Sequence, residues 1–151
     1  ALLDRYDVEG IAPVVHAWRA LIEAWRGARD ATLAAIALSD HVQGRRWPLH
    51  LCRVDLVVAR ALRAVGEQAT AQARARAALE RAESAGYRLY VMKAHALLGG
   101  IVEDAAAAAH HRRVGEALAR SLAANIPPED APSFLAFHGF EPPTPVAGAG
   151  S

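Results

Sequence analysis

The chain has 151 residues, enough for one ordinary domain with its own core and short for two. Apolar residues make up 53% of it, and about a quarter of the chain is alanine, the strongest helix former; three Trp, three Tyr, three Phe and few β-branched runs weigh against a sheet. The formal net charge is +1 with both signs scattered, and no basic run exceeds the pairs Arg45-Arg46 and Arg112-Arg113, so the basic stripe of a nucleic-acid binder is missing.

Residues 1 to 12 alternate charged and apolar side chains and are compatible with a short helix. Pro13 suits a first helical turn, and Val15, Trp18, Ile22 and Trp25 follow on one face, with Leu21 widening the stripe. Gly27 and Asp30 mark a turn and an N-cap before Leu33, Ile36 and Ala37 give a second helix ending near Gly44. The first predicted hairpin therefore covers 13–43.

Pro48 restarts the chain, and Leu51, Val54, Val58, Leu62 and Val65 recur at steps of three and four, predicting a helix over 48–66 broken by Gly66. The next helix carries a seam of Ala71, Ala75, Ala78, Ala82 and Ala85 with Arg74, Arg76, Glu80, Arg81 and Glu83 around it; the charged face reads as solvated, with Arg76 and Glu80 as an i,i+4 pair. Gly86 reads as its C-terminal cap, which completes a second pair over 48–85. From Leu89 to Ile101 the chain is apolar on nearly all sides, as in a helix held between neighbours. Glu103 and Asp104 then place two acids at the positive end of a helix that carries the alanine run 105–109, Val114, Leu118 and Leu122 and stops before Asn125, Pro127 and Pro128. This third pair spans 89–124. A short last helix over 129–138 has Phe134, Leu135 and Phe137 to dock on the end of the stack. The run 142–151, rich in Pro, Gly and Ala, has nothing to pack and is expected to be disordered.

Aligned at an offset of about 35 to 37 residues, Ala59 to Gly66 with its following helix overlies Ala94 to Gly100 with its own, a period expected of helical solenoids. Leu62, Gly66, Ala71 and Ala78 in one unit, with Leu97, Gly100, Ala107 and Val114 in the next, resemble the small-and-large alternation of tetratricopeptide-type repeats. The closing segment Ala119-Arg120-Ser121-Leu122, Ile126 to Asp130 and Ser133-Phe134-Leu135 is similar to the C-terminal end of helical-repeat regions in large bacterial signalling ATPases and transcriptional regulators. The resemblance covers about 48–138 and implies an all-α solenoid over 1–141, with a protein-interaction or sensing role and no catalysis of its own.

Sixteen of the seventeen basic residues are arginine, Lys93 being the exception, which with the alanine excess points to a GC-rich bacterial genome. A chain that starts without methionine is expected to be a piece of a longer protein. Cys52, the single cysteine, rules out an intrachain disulfide framework and favours the cytoplasm. No signal peptide is expected ahead of the first helix, and no uncharged apolar run in the sequence reaches the length of a membrane span.

Few constellations suggest chemistry. Glu103 and His110 share a face, but the adjacent His110 and His111 diverge by about 100° around a helix, so only one can join a given site. His111 reads as a buried, hydrogen-bonded histidine. His50 and Cys52 point apart, so a Cys-His pair needs a histidine such as His95, and Cys52 reads as a small core residue. His16, His41 and His138 stand alone. Gly99-Gly100 lacks the lysine and strand of a phosphate loop and reads as a place where two helices turn or touch. No metal or cofactor site is expected.

The concave face of a solenoid presents side chains from the first helix of each pair. The expected partner-binding residues are therefore Trp47, Arg53, Arg60, Lys93 and His95, for a protein or peptide partner that includes another domain of the same chain. The alternative is a small-molecule effector pocket near Trp18, Trp25 and Tyr90. A third reading, a helical enzyme using the histidines, has the least support. Trp18 and Trp25 read first as core; exposed, they would mark a groove for a partner, because aromatic side chains dominate binding hot spots.

Overall fold

A computed structural model of the protein describes residues 11–41 and 48–140. Trp47, Arg45, Arg46, the first ten residues and the expected disordered run 142–151 lie outside the described residues. Every regular element among the described residues is a helix: α1 (Ala12–Trp25), α2 (Arg29–His41), α3 (Pro48–Ala64), α4 (Gln68–Ser84), α5 (Arg88–Ile101), α6 (Ala105–Ala123) and α7 (Ala131–Phe137). Each helix packs on the next from α1 to α6, α7 packs on α6, and α1 lies on α3 and α3 on α5.

The tight links share one backbone device. Gly66 ends α3 in the left-handed region at φ +83°, and the next residue, Glu67, donates its N–H to the carbonyl of Leu62 at 2.9 Å. This is the Schellman closure, which an L side chain disfavours at the glycine position. The turn after α1 repeats it, Ala28 donating to Glu23, and so does the turn after α4, Tyr87 donating to Ala82. The end of α7 repeats it once more, Phe140 donating to Leu135. Gly100, which the sequence alignment paired with Gly66, has a different job: it lies inside α5, which continues to Ile101 and ends on an extended Val102. The terminal carbonyls of α5 accept side-chain donors instead, Gln68 Nε2 at Ile101 (3.0 Å) and Arg112 Nε at Gly99 (2.9 Å). At the start of α6 the Asp104 carboxylate accepts the Ala107 N–H at 2.7 Å, as an N-cap does.

Small residues face inward. On α4, Ala71, Ala75, Ala78 and Ala82 have no exposed area, whereas Ala85 caps the helix and is exposed. On α1 the buried face is Ala12, Pro13, Val14, Ala17, Ala20, Leu21 and Ala24. The stripe expected in the core, Val15, Trp18, Ile22 and Trp25, is exposed, Trp25 by 70%. On α6 the buried positions are Ala108, Gly115, Ala119 and Ala123, one residue on from the expected Ala107, Val114, Leu118 and Leu122, which are half-buried. The same physics explains all three cases. Small side chains let helix axes approach closely, so the alanine stripe takes the seam and larger apolar residues flank it. Gly99 is the extreme case, since a Cβ there would stand 2.7 Å from Arg112 Cγ and 3.2 Å from its backbone nitrogen.

A second cluster, Met92, Ala119, Ala123 and Leu135 with Leu89, Phe134 and Phe140 against it, joins α5 and α6 to α7. Phe137, expected to dock there, is 83% exposed.

The charged face of α4 is not simply solvated. Asp55 of α3 is buried and accepts from Arg74 at 3.0 Å and from Arg81, while Arg74 also donates to Asp40 of α2. Burial opposes the Arg74 charge, but the hydrogen bonds and fields of Asp40 and Asp55 outweigh it and raise its pKa above the usual arginine value. Arg76 and Glu80, expected to pair, do not form an ion pair.

Three substitutions test this packing by urea unfolding. Gly66→Ala is expected to destabilise by about 1 kcal/mol through φ alone, since nothing lies within 4 Å of the added Cβ. Gly99→Ala, a helix-interior change ordinarily favourable by about 0.5–1 kcal/mol, is expected to destabilise because of Arg112. Asp55→Ala, which strands the Arg81 guanidinium and leaves Arg74 with Asp40 alone, is expected to cost about 2 kcal/mol, less than breaking a fully buried pair because both arginines keep some solvent. A neutral or stabilising Gly99→Ala would contradict the close α5–α6 approach.

Candidate functional site

Residues of α1, α3, α5 and the end of α7 enclose an open cleft of about 380 Å3. Trp18 comes from α1; Arg53, Leu56, Val57 and Arg60 from α3; Tyr90, Met92, Lys93 and Ala96 from α5; Phe137 and His138 from α7 and its C-cap. On α3, Arg53 and Arg60 are seven residues apart and so share a face, as do Leu56 and Arg60, four apart. On α5, Tyr90 and Lys93 are three apart, and the Lys93 ammonium lies 5.3 Å from the centre of the Tyr90 ring, a cation–π distance.

The cleft brings together residues expected of two different sites. Arg53, Arg60 and Lys93, expected to bind a partner, share it with Trp18 and Tyr90, expected to line an effector pocket. Trp18 retains 37% of its surface. Trp25 is on the same helix but does not line the cleft, and Trp47 lies outside the described residues.

His95 is elsewhere. It is 6% exposed, in the seam between α5 and α6, with Nδ1 2.8 Å from Nδ1 of His111 and ring centres 5.0 Å apart. One Nδ1 must donate and the other accept, so the pair holds a single proton between the two atoms. His111, expected to be buried, is half-buried and does hydrogen-bond.

Sequence reasoning missed His138 and Phe137 as cleft residues. His138 carried no periodic signal, and only the docking of α7 on α6 carries it back toward α3 and α5. The spacing of Arg53, Leu56 and Arg60 on α3 was legible, but which face of α3 is open was not.

The cleft is electrostatically one-sided. None of its described lining residues is acidic, and among the described residues no carboxylate forms an ion pair with Arg53, Arg60 or Lys93. Loss of hydration lowers the Arg60 pKa even though the residue as a whole is exposed. Lys93 is lowered by burial, then by the charges of Arg60 and Arg53. His138 is lowered by burial, then by Lys93 and Arg60. These groups repel one another, and no described lining residue carries a negative charge to offset them, an arrangement that favours an anion over a cation.

Cys52 is fully buried, and burial, its largest influence, pushes its thiol pKa up, the opposite of an activated nucleophile. Among the described residues no group of three or more His, Cys, Asp or Glu side chains is placed to hold a metal ion. No described helix is long and apolar enough to cross a membrane.

Acid should weaken the fold. His95 is lowered by burial, then by His111 and His110; His111 is lowered by burial, then by His110 and Arg76; His138 is lowered as above. Each has a folded-state pKa below the unfolded value of about 6.5. The unfolded chain therefore takes up protons first as the pH falls, and stability present at neutral pH is lost on acidification. The urea midpoint is expected to be lower at pH 5.5 than at pH 7.5, and the loss to be smaller in a His95→Gln/His111→Gln variant. A midpoint that rises on acidification would contradict the assignment.

Comparison of the chain with protein-family models, with curated proteins and with solved structures finds no match.

Proposed function

We propose that the chain is a non-catalytic interaction module, a tetratricopeptide-like solenoid of three antiparallel helix pairs with a short cap, that engages a protein or peptide partner in the cleft between its first helices. The solenoid reading rests on the order of packing: first helices begin at residues 12, 48 and 88 and lie on one another, while second helices begin at 29, 68 and 105. The closed turns after α1 and α3 recur at the matching place within two successive pairs. The module belongs in a bacterial regulatory protein of the cytoplasm, where binding of a partner, or of another domain of the same protein, shifts a regulatory state.

The observation that carries the binding role is the convergence of Arg53, Arg60 and Lys93 with Trp18 and Tyr90 in one open cleft. Cationic side chains select an acidic partner and aromatic side chains supply the contact area that anchors it. A small-molecule effector is the second reading. It is favoured by a volume of about 380 Å3, which falls within the ordinary range of ligand pockets.

Selection from a random peptide display library tests the first reading. The wild-type chain is expected to enrich peptides rich in Asp and Glu with an aromatic or aliphatic anchor, and an Arg60→Glu/Lys93→Glu variant to lose at least tenfold in affinity for them. Enrichment of peptides that bind the variant equally well would show that the cleft is not the interaction site.

A further inference from the structure

We infer that the cleft bounded by Arg60, Lys93 and His138 is a binding site for a phosphate monoester carried on an aromatic body. The inference rests on the cleft being the binding site, as proposed above, and specifies the chemistry that fills it.

The donors set the charge of the ligand. Arg53 and Arg60 each offer a planar fork of N–H groups, Lys93 an ammonium, and His138 an imidazole N–H. A single carboxylate has two oxygens and one charge, which leaves most of these donors unmatched. A phosphate monoester has three terminal oxygens and close to two charges at neutral pH, so it meets several cationic donors at once.

The walls set the body. Trp18 and Tyr90 stand on α1 and α5, and Phe137, largely exposed, lies at the α7 end. Lys93 already rests near the Tyr90 ring. A flat aromatic group placed among these rings keeps its phosphate within the cationic part of the same 380 Å3 cleft.

Binding should also move a proton. Among the described residues, the charged groups that act on His138 are Lys93 of α5 and Arg60 of α3, both positive, and burial together with their influence disfavours its protonated form. A phosphate dianion placed among them reverses the sign of the local field and favours protonation. The free ligand can come from two sources: a small aryl phosphate, or a phosphotyrosine side chain on a partner protein.

The test is isothermal titration calorimetry on the full chain with phenyl phosphate, phenylacetate and a short phosphotyrosine peptide, at pH 7.5 in two buffers of different ionisation enthalpy. Phenyl phosphate is expected to bind at least tenfold more tightly than phenylacetate. Arg60→Met and Lys93→Met are each expected to weaken it at least tenfold, and Arg60→Lys to weaken it less. Because these variants relieve repulsion, their melting temperatures should equal or exceed the wild type, which separates a binding role from a structural one. Proton uptake on binding is expected in the wild type and absent in His138→Gln. A phosphopeptide at least tenfold tighter than phenyl phosphate identifies a protein partner as the source; equal or weaker binding identifies a free ester. Phenyl phosphate and phosphopeptide that bind no better than phenylacetate, or affinities within twofold of wild type in both methionine variants, would overturn the inference. If acidic peptides selected by display still depend on Arg60 and Lys93 in that case, only the phosphate assignment falls; if they do not, the cleft reading falls with it.

Discussion

Close approach of helices through alanine and glycine is the constraint on which this structure depends. Ala17, Ala20 and Ala24 on α1, Ala71 to Ala82 on α4, and Gly99 against Arg112 at the α5–α6 seam leave little side chain between backbones. Each such residue buries little apolar area, so stabilisation comes from many short-range contacts along a seam. A seam of this kind also fixes what lies beside it. With alanine at the contact, Trp18, Ile22 and Trp25 are displaced to an exposed flank, and Trp18 is left at the mouth of the cleft.

Charge follows the same division. α3 carries Asp55 on the side that meets α4, where Arg74 and Arg81 neutralise it and Arg74 reaches on to Asp40. Five and two residues away, Arg60 and Arg53 fall on the side that meets the cleft. Asp40 and Asp55 are thus engaged in the ladder between α2, α3 and α4, and the cleft retains cations without described carboxylate partners. A net charge of +1 conceals this segregation. Buried ion ladders add less to stability than their contact geometry suggests, because desolvation offsets attraction. Here the ladder's other consequence is to tie three helices in register.

The two histidine environments differ in kind. His95 and His111 share a proton within a seam, next to Arg76 and His110, and belong to the packing of α5 on α6. His138 sits where α7 turns, among the cations of the cleft. Their pKa values move in the same direction, but His138 lines the cleft whereas His95 is buried in the seam.

The helices were legible along the chain. Proline at a first turn, steps of three and four between apolar residues, and glycine after the last turn are local signals, and Pro48, Gly27, Gly66 and Gly86 act as those signals require. The sequence also placed Arg53 and Arg60 on α3 and Lys93 on α5, because the apolar period that defines each helix can be read along one chain. Which face of each helix is covered depends on packing between helices. Two overlapping stripes on α1, and again on α6, satisfy the same period, and the choice between the large and the small stripe depends on how near the neighbouring axis can come. The tertiary structure likewise decided that Asp55 is a buried acceptor, that His95 meets His111, and that α7 brings His138 to α3 and α5, since each joins residues whose separation along the chain carries no local signal.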